Sequence, residues 1–94
     1  MTKIRDLRGL GIKSEETLAK VDILSVDSLR DIGAVAAFYR LKRAGFKPSL
    51  NFLYAMIGGL TDRSWLEVAQ TEREQLLAEL ESIELLEQMF ETNK

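Results

Sequence analysis

Apolar residues recur at every third or fourth position along most of this chain, which is the spacing of amphipathic helices. No segment alternates apolar and polar residues in the way that a half-buried strand does. Glycine, serine and one proline divide the pattern into short elements. The predicted helices cover residues 4–8, 14–21, 26–32, 34–44, 49–57 and 71–90. We therefore expect an all-α fold, a compact helical bundle with a long C-terminal helix.

Capping residues set the predicted helix ends. Ser14 and Ser25 are suited to be the N-caps of the second and third helices, and Gly33 is placed to end the third. The glycines at 58 and 59 are expected to close the fifth. The last helix is expected to begin at a capping box formed by residues 71–74, Thr-Glu-Arg-Glu.

Residues 50–57 are apolar around almost the whole circumference of a helix, which predicts the central, buried helix of the bundle. Asn51 is its one amide, and it either faces a gap in the core or bonds to a neighbouring helix end. After this helix, Trp65, Leu66 and Val68 are expected to cover the core. The alternative for Trp65 is a platform on which nucleic-acid bases stack.

The last predicted helix carries apolar residues on two sides. Leu85 and Met89 fall near the side opposite a broad apolar face, and that broad face consists of Leu76, Leu77, Leu80, Ile83, Leu86 and Phe90. An exposed apolar patch usually has a partner, so Leu85 and Met89 are candidate contacts with a second copy of the chain. The alternative is a helix that kinks or frays beyond residue 84 and leaves both side chains exposed.

Two glycines near the N-terminus predict a hairpin between short helices. Gly9, Leu10 and Gly11 lie between the first two predicted helices, and Lys13 follows them. A glycine turn that leads into a helix presents backbone amides to an anion, so these residues are a candidate phosphate or DNA contact. The alternative is that the glycines only allow two helices to pack closely.

Charge is divided unevenly along the chain. Residues 1–48 carry ten Lys and Arg against six Asp and Glu, a net charge of +4, and residues 49–94 carry three against nine, a net charge of −6. The basic residues are densest at Arg40, Lys42, Arg43 and Lys47. This basic cluster is either a site for phosphates or for an acidic protein surface, or a solvated helix end. The net charge of residues 1–48 is well below that of a strongly basic nucleic-acid binder.

Composition narrows the chemistry further. The 94 residues suffice for a single domain spanning 1–94, and they include no cysteine and no histidine. Thiol nucleophiles, disulfides and Cys/His zinc sites are thereby excluded, and the acidic residues have no metal-loop spacing. We expect no cofactor, no metal, no membrane span and a cytoplasmic location. An enzyme would have to use carboxylates, lysine or tyrosine, and no nucleophile with a base beside it is visible.

Several spaced blocks carry a resemblance to a known family. The blocks are Leu7-x-x-Leu10-Gly11-x-Lys13-Ser14-Glu15, Leu29-Arg30-x-x-Gly33-Ala34, Arg40-Leu41-Lys42, Ser49-Leu50-Asn51-x-Leu53-Tyr54-Ala55 and Gly59-Leu60-Thr61. In order and spacing they resemble the C-terminal domain of the TfoX/Sxy family of bacterial competence regulators, over residues 5 to about 80. The resemblance implies a helical domain whose N-terminal half is related to helix-hairpin-helix (SAM-like) modules, and it implies a role in competence regulation. Such domains follow a separate N-terminal domain in some proteins and stand alone in others, and we expect this one to stand alone.

The chain departs from the hairpin pattern next to the glycines. Glu15 and Glu16 place two carboxylates beside the helix N-terminus that a phosphate would use, and Lys13 is a single compensating cation. We therefore expect a non-enzymatic interaction module that acts through protein contacts, with a homodimer as one form of contact. The alternative is weak, sequence-independent DNA binding through the glycine turn and the basic cluster.

Overall fold

A 3₁₀ turn, Ile4–Asp6, and five α-helices form the protein in a computed structural model, which describes residues 2–92 without the side chains of residues 87 and 90–92. The helices are α1 (Ile12–Ala19), α2 (Val26–Ile32), α3 (Ala34–Arg43), α4 (Leu50–Thr61) and α5 (Trp65–Thr92). No strand occurs between residues 2 and 92. The predicted all-α fold with a long C-terminal helix is confirmed. The relation of its N-terminal half to helix-hairpin-helix modules stays a prediction.

The predicted central helix is α4. It packs against both α3 and α5, and the side chains of Leu53 and Met56 on it are fully buried. The rest of the buried core is supplied by Ile4, Leu10, Leu18, Val21, Ile23, Val26, Leu29, Ala34, Ala37, Phe38, Leu41, Tyr54, Ala55, Val68, Leu76 and Leu80. Within the described part of the chain no charged side chain is buried, so the charged candidates for function lie on the surface.

Three helices end with the same backbone geometry. The residues that follow the last turns of α1, α3 and α4 are Asp22, Gly45 and Asp62, each with a positive φ. The next amide then donates to the carbonyl five residues earlier, from Ile23 to Leu18 and from Phe46 to Leu41 at 3.0 Å, and from Arg63 to Gly58 at 2.8 Å. This is the bond of a Schellman-type helix end.

The predicted N-cap at Ser25 is confirmed, because its hydroxyl accepts a hydrogen bond from the amide of Ser28 at 3.0 Å. The predicted N-cap at Ser14 is wrong. Helix α1 begins two residues earlier, at Ile12, and the amide of Glu15 donates to the carbonyl of Gly11 at 3.0 Å. The chain enters this helix directly from the glycine turn, and no side chain caps its first amides.

The expectation that Gly58 and Gly59 close α4 is also wrong, because both lie inside the helix. These two positions require glycine because neighbouring segments pack closely against them. A Cβ added at Gly59 would lie 3.0 Å from the Cβ of Leu7 and 3.1 Å from the carbonyl oxygen of Arg8. The glycine therefore lets α4 lie directly against the backbone that precedes α1.

The predicted capping box at residues 71–74 is wrong as well, since α5 begins at Trp65 and runs through this segment without a break. Its N-cap is Ser64, whose hydroxyl accepts from the amide of Glu67 at 3.2 Å. The hydroxyl of Thr71 donates to the carbonyl of Glu67 at 2.8 Å, as threonine does inside a helix. Glu72 forms an ion pair with Arg63 across the connection between α4 and α5.

Neither position predicted for Asn51 is correct, because its side chain is exposed on the first turn of α4 and forms no hydrogen bond with a described residue. Of the three residues expected to cover the core, Val68 is fully buried, whereas Trp65 and Leu66 are 44% and 50% exposed. No helix between residues 2 and 92 is both long enough and apolar enough to cross a membrane. The same residues contain no group of three acidic side chains placed to hold a metal ion.

Candidate interaction surfaces

The glycine hairpin is a tight turn in front of α1. The amide of Leu10 donates to the carbonyl of Leu7 at 3.0 Å, and Gly9 at the third position has a φ of +82°. A positive φ at this position is typical of a type II turn and favours glycine. Gly11 is different, because its φ of −136° is open to any residue and a Cβ there would meet nothing within 4 Å.

A shallow depression of about 350 Å³ lies beside this turn. It is lined by Gly9, Ser14, Ser49, Asn51, Phe52, Ala55 and Trp65. These residues include the first turns of α1 and α4 and the first residue of α5, so three helix N-termini border one depression. Helix N-termini carry partial positive charge. The hydroxyls of Ser49 and Ser64 already accept from amides of α4 and α5, whereas α1 has no side-chain cap.

Glu15 is held by Arg5 across the turn. The guanidinium of Arg5 donates to Oε1 of Glu15 from Nη2 at 2.6 Å and from Nε at 3.0 Å. The backbone amide of Arg5 donates to Oε2 of Glu15 at 3.0 Å. These hydrogen bonds lower the pKa of the Glu15 carboxyl and raise that of Arg5. Glu15, one of the two carboxylates expected to repel a phosphate, is therefore paired with a cation. Lys13, two residues before Glu15, is exposed.

We expect Glu15→Gln to lower the thermal unfolding midpoint near neutral pH, because the ionised carboxylate accepts all three bonds from Arg5. The folded pKa of Glu15 is lowered, so its contribution is present above the unfolded pKa of about 4.3 and is lost as pH falls through the folded value. The midpoints of the two proteins should therefore converge in acid. Differential scanning calorimetry from neutral to acidic pH measures this.

The matched control is Glu16→Gln, since the Glu16 side chain is exposed and makes no hydrogen bond to a described residue. Its unfolding midpoint should follow that of the parent protein at every pH. A difference between Glu15→Gln and the parent that persists unchanged in acid would mean that the carboxylate does not stabilise the turn.

The basic cluster is not one continuous patch of free cations. Arg40 donates from Nη1 to the carbonyl of Val21 at 3.2 Å, and Lys42 donates to Oε1 of Glu84 on α5 at 2.8 Å. Arg43 and Lys47 complete the cluster and are exposed at the end of α3 and in the loop after it. Arg40 and Lys42 thus help to hold α3 to neighbouring elements.

The apolar residues of α5 divide differently from the prediction. Leu76 and Leu80 are buried, but Leu77 and Leu86, expected on the same packed face, are 38% and 55% exposed. The expected broad face is therefore wrong at these two positions, because only the first half of α5 is buried against the bundle. Phe90, assigned to that face, has its side chain outside the described residues.

Leu85 and Met89 lie off the packed face, as expected, and they are 54% and 62% exposed. Helix α5 continues through them to Thr92, so the helix does not end at residue 84. Together with Leu86 they form what we call the outer strip, namely Leu85, Leu86 and Met89. Contact of this strip with a second copy of the chain stays a prediction.

The sequence did not indicate two further exposed apolar side chains. Ile12 at the start of α1 is 56% exposed and Leu24 between α1 and α2 is 71% exposed. Both lie between predicted helices, where helical periodicity does not indicate whether a side chain is buried. The structure places Ile12 at the start of α1 and Leu24 between α1 and α2, with both side chains exposed.

The fold defines a class of small all-helical domains in which short N-terminal helices pack with one buried helix and one long C-terminal helix. The family model of the TfoX C-terminal domain matches residues 1–80, and the chain belongs to this family.

Two known proteins extend the comparison. The DNA transformation protein TfoX of Haemophilus influenzae is 35% identical over 83 residues, which are 88% of this chain and 38% of that protein. The chain thus spans less than two fifths of the length of this relative. The crystal structure of an uncharacterized protein from Listeria monocytogenes has the same fold, with a TM-score of 0.76, 24% identity and coverage of 88% of this chain and 94% of that one.

Proposed function

We propose that this chain is a non-enzymatic regulatory module that serves DNA transformation and acts by contacting another protein. The observation that carries the proposal is the outer strip, three large apolar side chains that are each more than half exposed on one helix. Exposed apolar patches on small domains commonly mark contact sites. Family membership and the name of the Haemophilus influenzae relative support the link to transformation.

Deleting the gene in the cells that encode this chain, and complementing with variants, tests the proposal. We expect the double variant Leu85→Ala with Met89→Ala to lower transformation frequency at least about tenfold, because contact energy concentrates in a few apolar anchors. The matched control, Leu24→Ala with Leu66→Ala, removes two leucines that are similarly exposed elsewhere and should leave the frequency unchanged. Equal effects of both doubles, with equal protein levels, would contradict a contact at the outer strip.

A second candidate is weak, sequence-independent DNA binding at the hairpin, and one observation favours it. Helix α1 begins without a side-chain cap, and its first turn borders a depression that two other helix N-termini share. Backbone amides in such a place favour a phosphate. Lys13 and Lys47 are exposed cations that form no ion pair with a described residue, and they would add charge.

Fluorescence anisotropy of a labelled duplex, at low and near-physiological salt, separates the two candidates. DNA binding predicts saturable affinity that falls steeply with salt and that Lys13→Glu with Lys47→Glu weakens. The protein-contact proposal predicts that this double variant transforms normally in complemented cells. Loss of transformation with Lys13→Glu and Lys47→Glu, but not with Leu85→Ala and Met89→Ala, would reverse the order of the two candidates.

A further inference from the structure

We propose that the second half of α5 binds a basic amphipathic helix of a partner protein. The inference rests on the proposed function, because it names the chemistry of the partner that the outer strip contacts. It uses the apolar side chains of this strip, the charge of the segment that carries them, and the position of that segment in the fold.

The outer strip has the spacing of a helix-binding face. Leu85 and Met89 are four residues apart and therefore lie one above the other on α5, with Leu86 beside them. Ala78, Glu81 and Ser82 continue the exposed surface towards the N-terminus of the helix. Small and apolar residues in such a row accept the apolar face of another helix, which anchors itself at positions i, i+3, i+4 and i+7.

The charged side chains within the segment that carries the strip all have the same sign. Residues 74–92 contain six glutamates and no lysine or arginine. Of the five glutamates after residue 74, Glu84 is paired with Lys42, and no cation of the described chain is paired with the exposed carboxylates of Glu79 and Glu81. The C-terminal end of a helix adds partial negative charge to the same region. A segment rich in lysine and arginine is complementary to this surface.

The same charges act against self-association through this surface. Two copies of α5 laid side by side would bring these glutamates together, in either direction, without a cation from residues 74–92 to separate them. The outer strip lies beyond residue 80, where the match to the family model ends. A basic partner helix satisfies both the apolar strip and the charge.

Binding of two synthetic helical peptides to the isotope-labelled protein tests the inference. One peptide is amphipathic and made of leucine and lysine, and its matched control has glutamate at every lysine position. We expect the basic peptide to bind, to shift the amide resonances of residues 78–92, and to weaken as salt rises from about 50 to about 300 mM. Leu85→Ala with Met89→Ala should weaken it about tenfold, Glu79→Gln with Glu81→Gln severalfold, and Leu24→Ala with Leu66→Ala not at all.

Each other outcome overturns the inference. Equal affinity for the acidic peptide would show that charge has no role, and shifts confined to α1–α4 would place the contact elsewhere. A salt-dependent dimer in sedimentation that Leu85→Ala abolishes would show that a second copy occupies the strip. If the basic peptide fails while the strip variants still lower transformation, the partner is not basic but the proposed function stands. If it binds and those variants transform normally, the proposed function fails, and the inference that rests on it fails too.

Discussion

Replacing Gly58 with alanine is expected to destabilise the protein by about 2 kcal/mol, although alanine is the better helix former by about 1 kcal/mol. Gly58 lies inside α4 where the chain turns back into α5. An added Cβ would collide with the carbonyl oxygen of Arg63 and lie 3.3 Å from the backbone carbon of Ser64. Because these neighbours are backbone atoms, they cannot rotate away, and the connection between α4 and α5 must shift. Urea unfolding followed by circular dichroism measures the change.

Gly11→Ala is the matched control for this prediction. Gly11 has an extended φ of −136°, and no atom would lie within 4 Å of its added Cβ. Its stability should stay within about 0.5 kcal/mol of the parent protein. If Gly58→Ala were as stable as Gly11→Ala, the close approach of the α4 to α5 connection would not be rigid.

Some features with local signals were predicted correctly from the sequence. The serine at position 25 and the run of apolar residues in α4 each lie within one turn of the feature that they specify. Ser14 and Thr71 carry the same kind of signal, but the structure does not use it. At Ser14 the helix has already begun at Ile12, and at Thr71 the helix that started at Trp65 continues.

Helix ends were harder to predict where an unexpected residue adopts a positive φ. Gly45 is a normal residue for the end of α3, but Asp22 and Asp62 take the equivalent positions after α1 and α4. Aspartate adopts this conformation less readily than glycine does, so sequence alone gives it little weight. The end of α4 was predicted at Gly58 instead. Gly58 in fact lies inside the helix, where it leaves room for the backbone of Arg63, five residues later.

The candidate sites depend on contacts between distant parts of the chain, which local patterns do not contain. Lys42 appears as part of a basic cluster in the sequence, yet its amine lies 2.8 Å from a carboxylate 42 residues later. Glu15 appears as a charge that repels phosphate, yet it is bound by Arg5. Exposure of Leu85 and Met89 was predictable, because both fall opposite the apolar face of the same helix.

Leu53→Ala is expected to have the largest effect on stability, a loss of about 3 kcal/mol. Leu53 is fully buried on α4, the helix that contacts both α3 and α5, so its removal leaves a cavity that no single helix can close. A domain of 94 residues has a free energy of unfolding of about 5–14 kcal/mol. The variant should therefore remain folded in buffer and show a much lower urea midpoint.

Leu85→Ala removes the same atoms from α5 and is the control for this prediction, because Leu85 is 54% exposed. It should change the free energy of unfolding by no more than about 0.5 kcal/mol. The contrast matters for function, since a strip variant that stays folded can be used to measure binding alone. A loss of stability at Leu85 comparable to that at Leu53 would mean that the outer strip is packed in solution, and the proposed contact surface would be withdrawn.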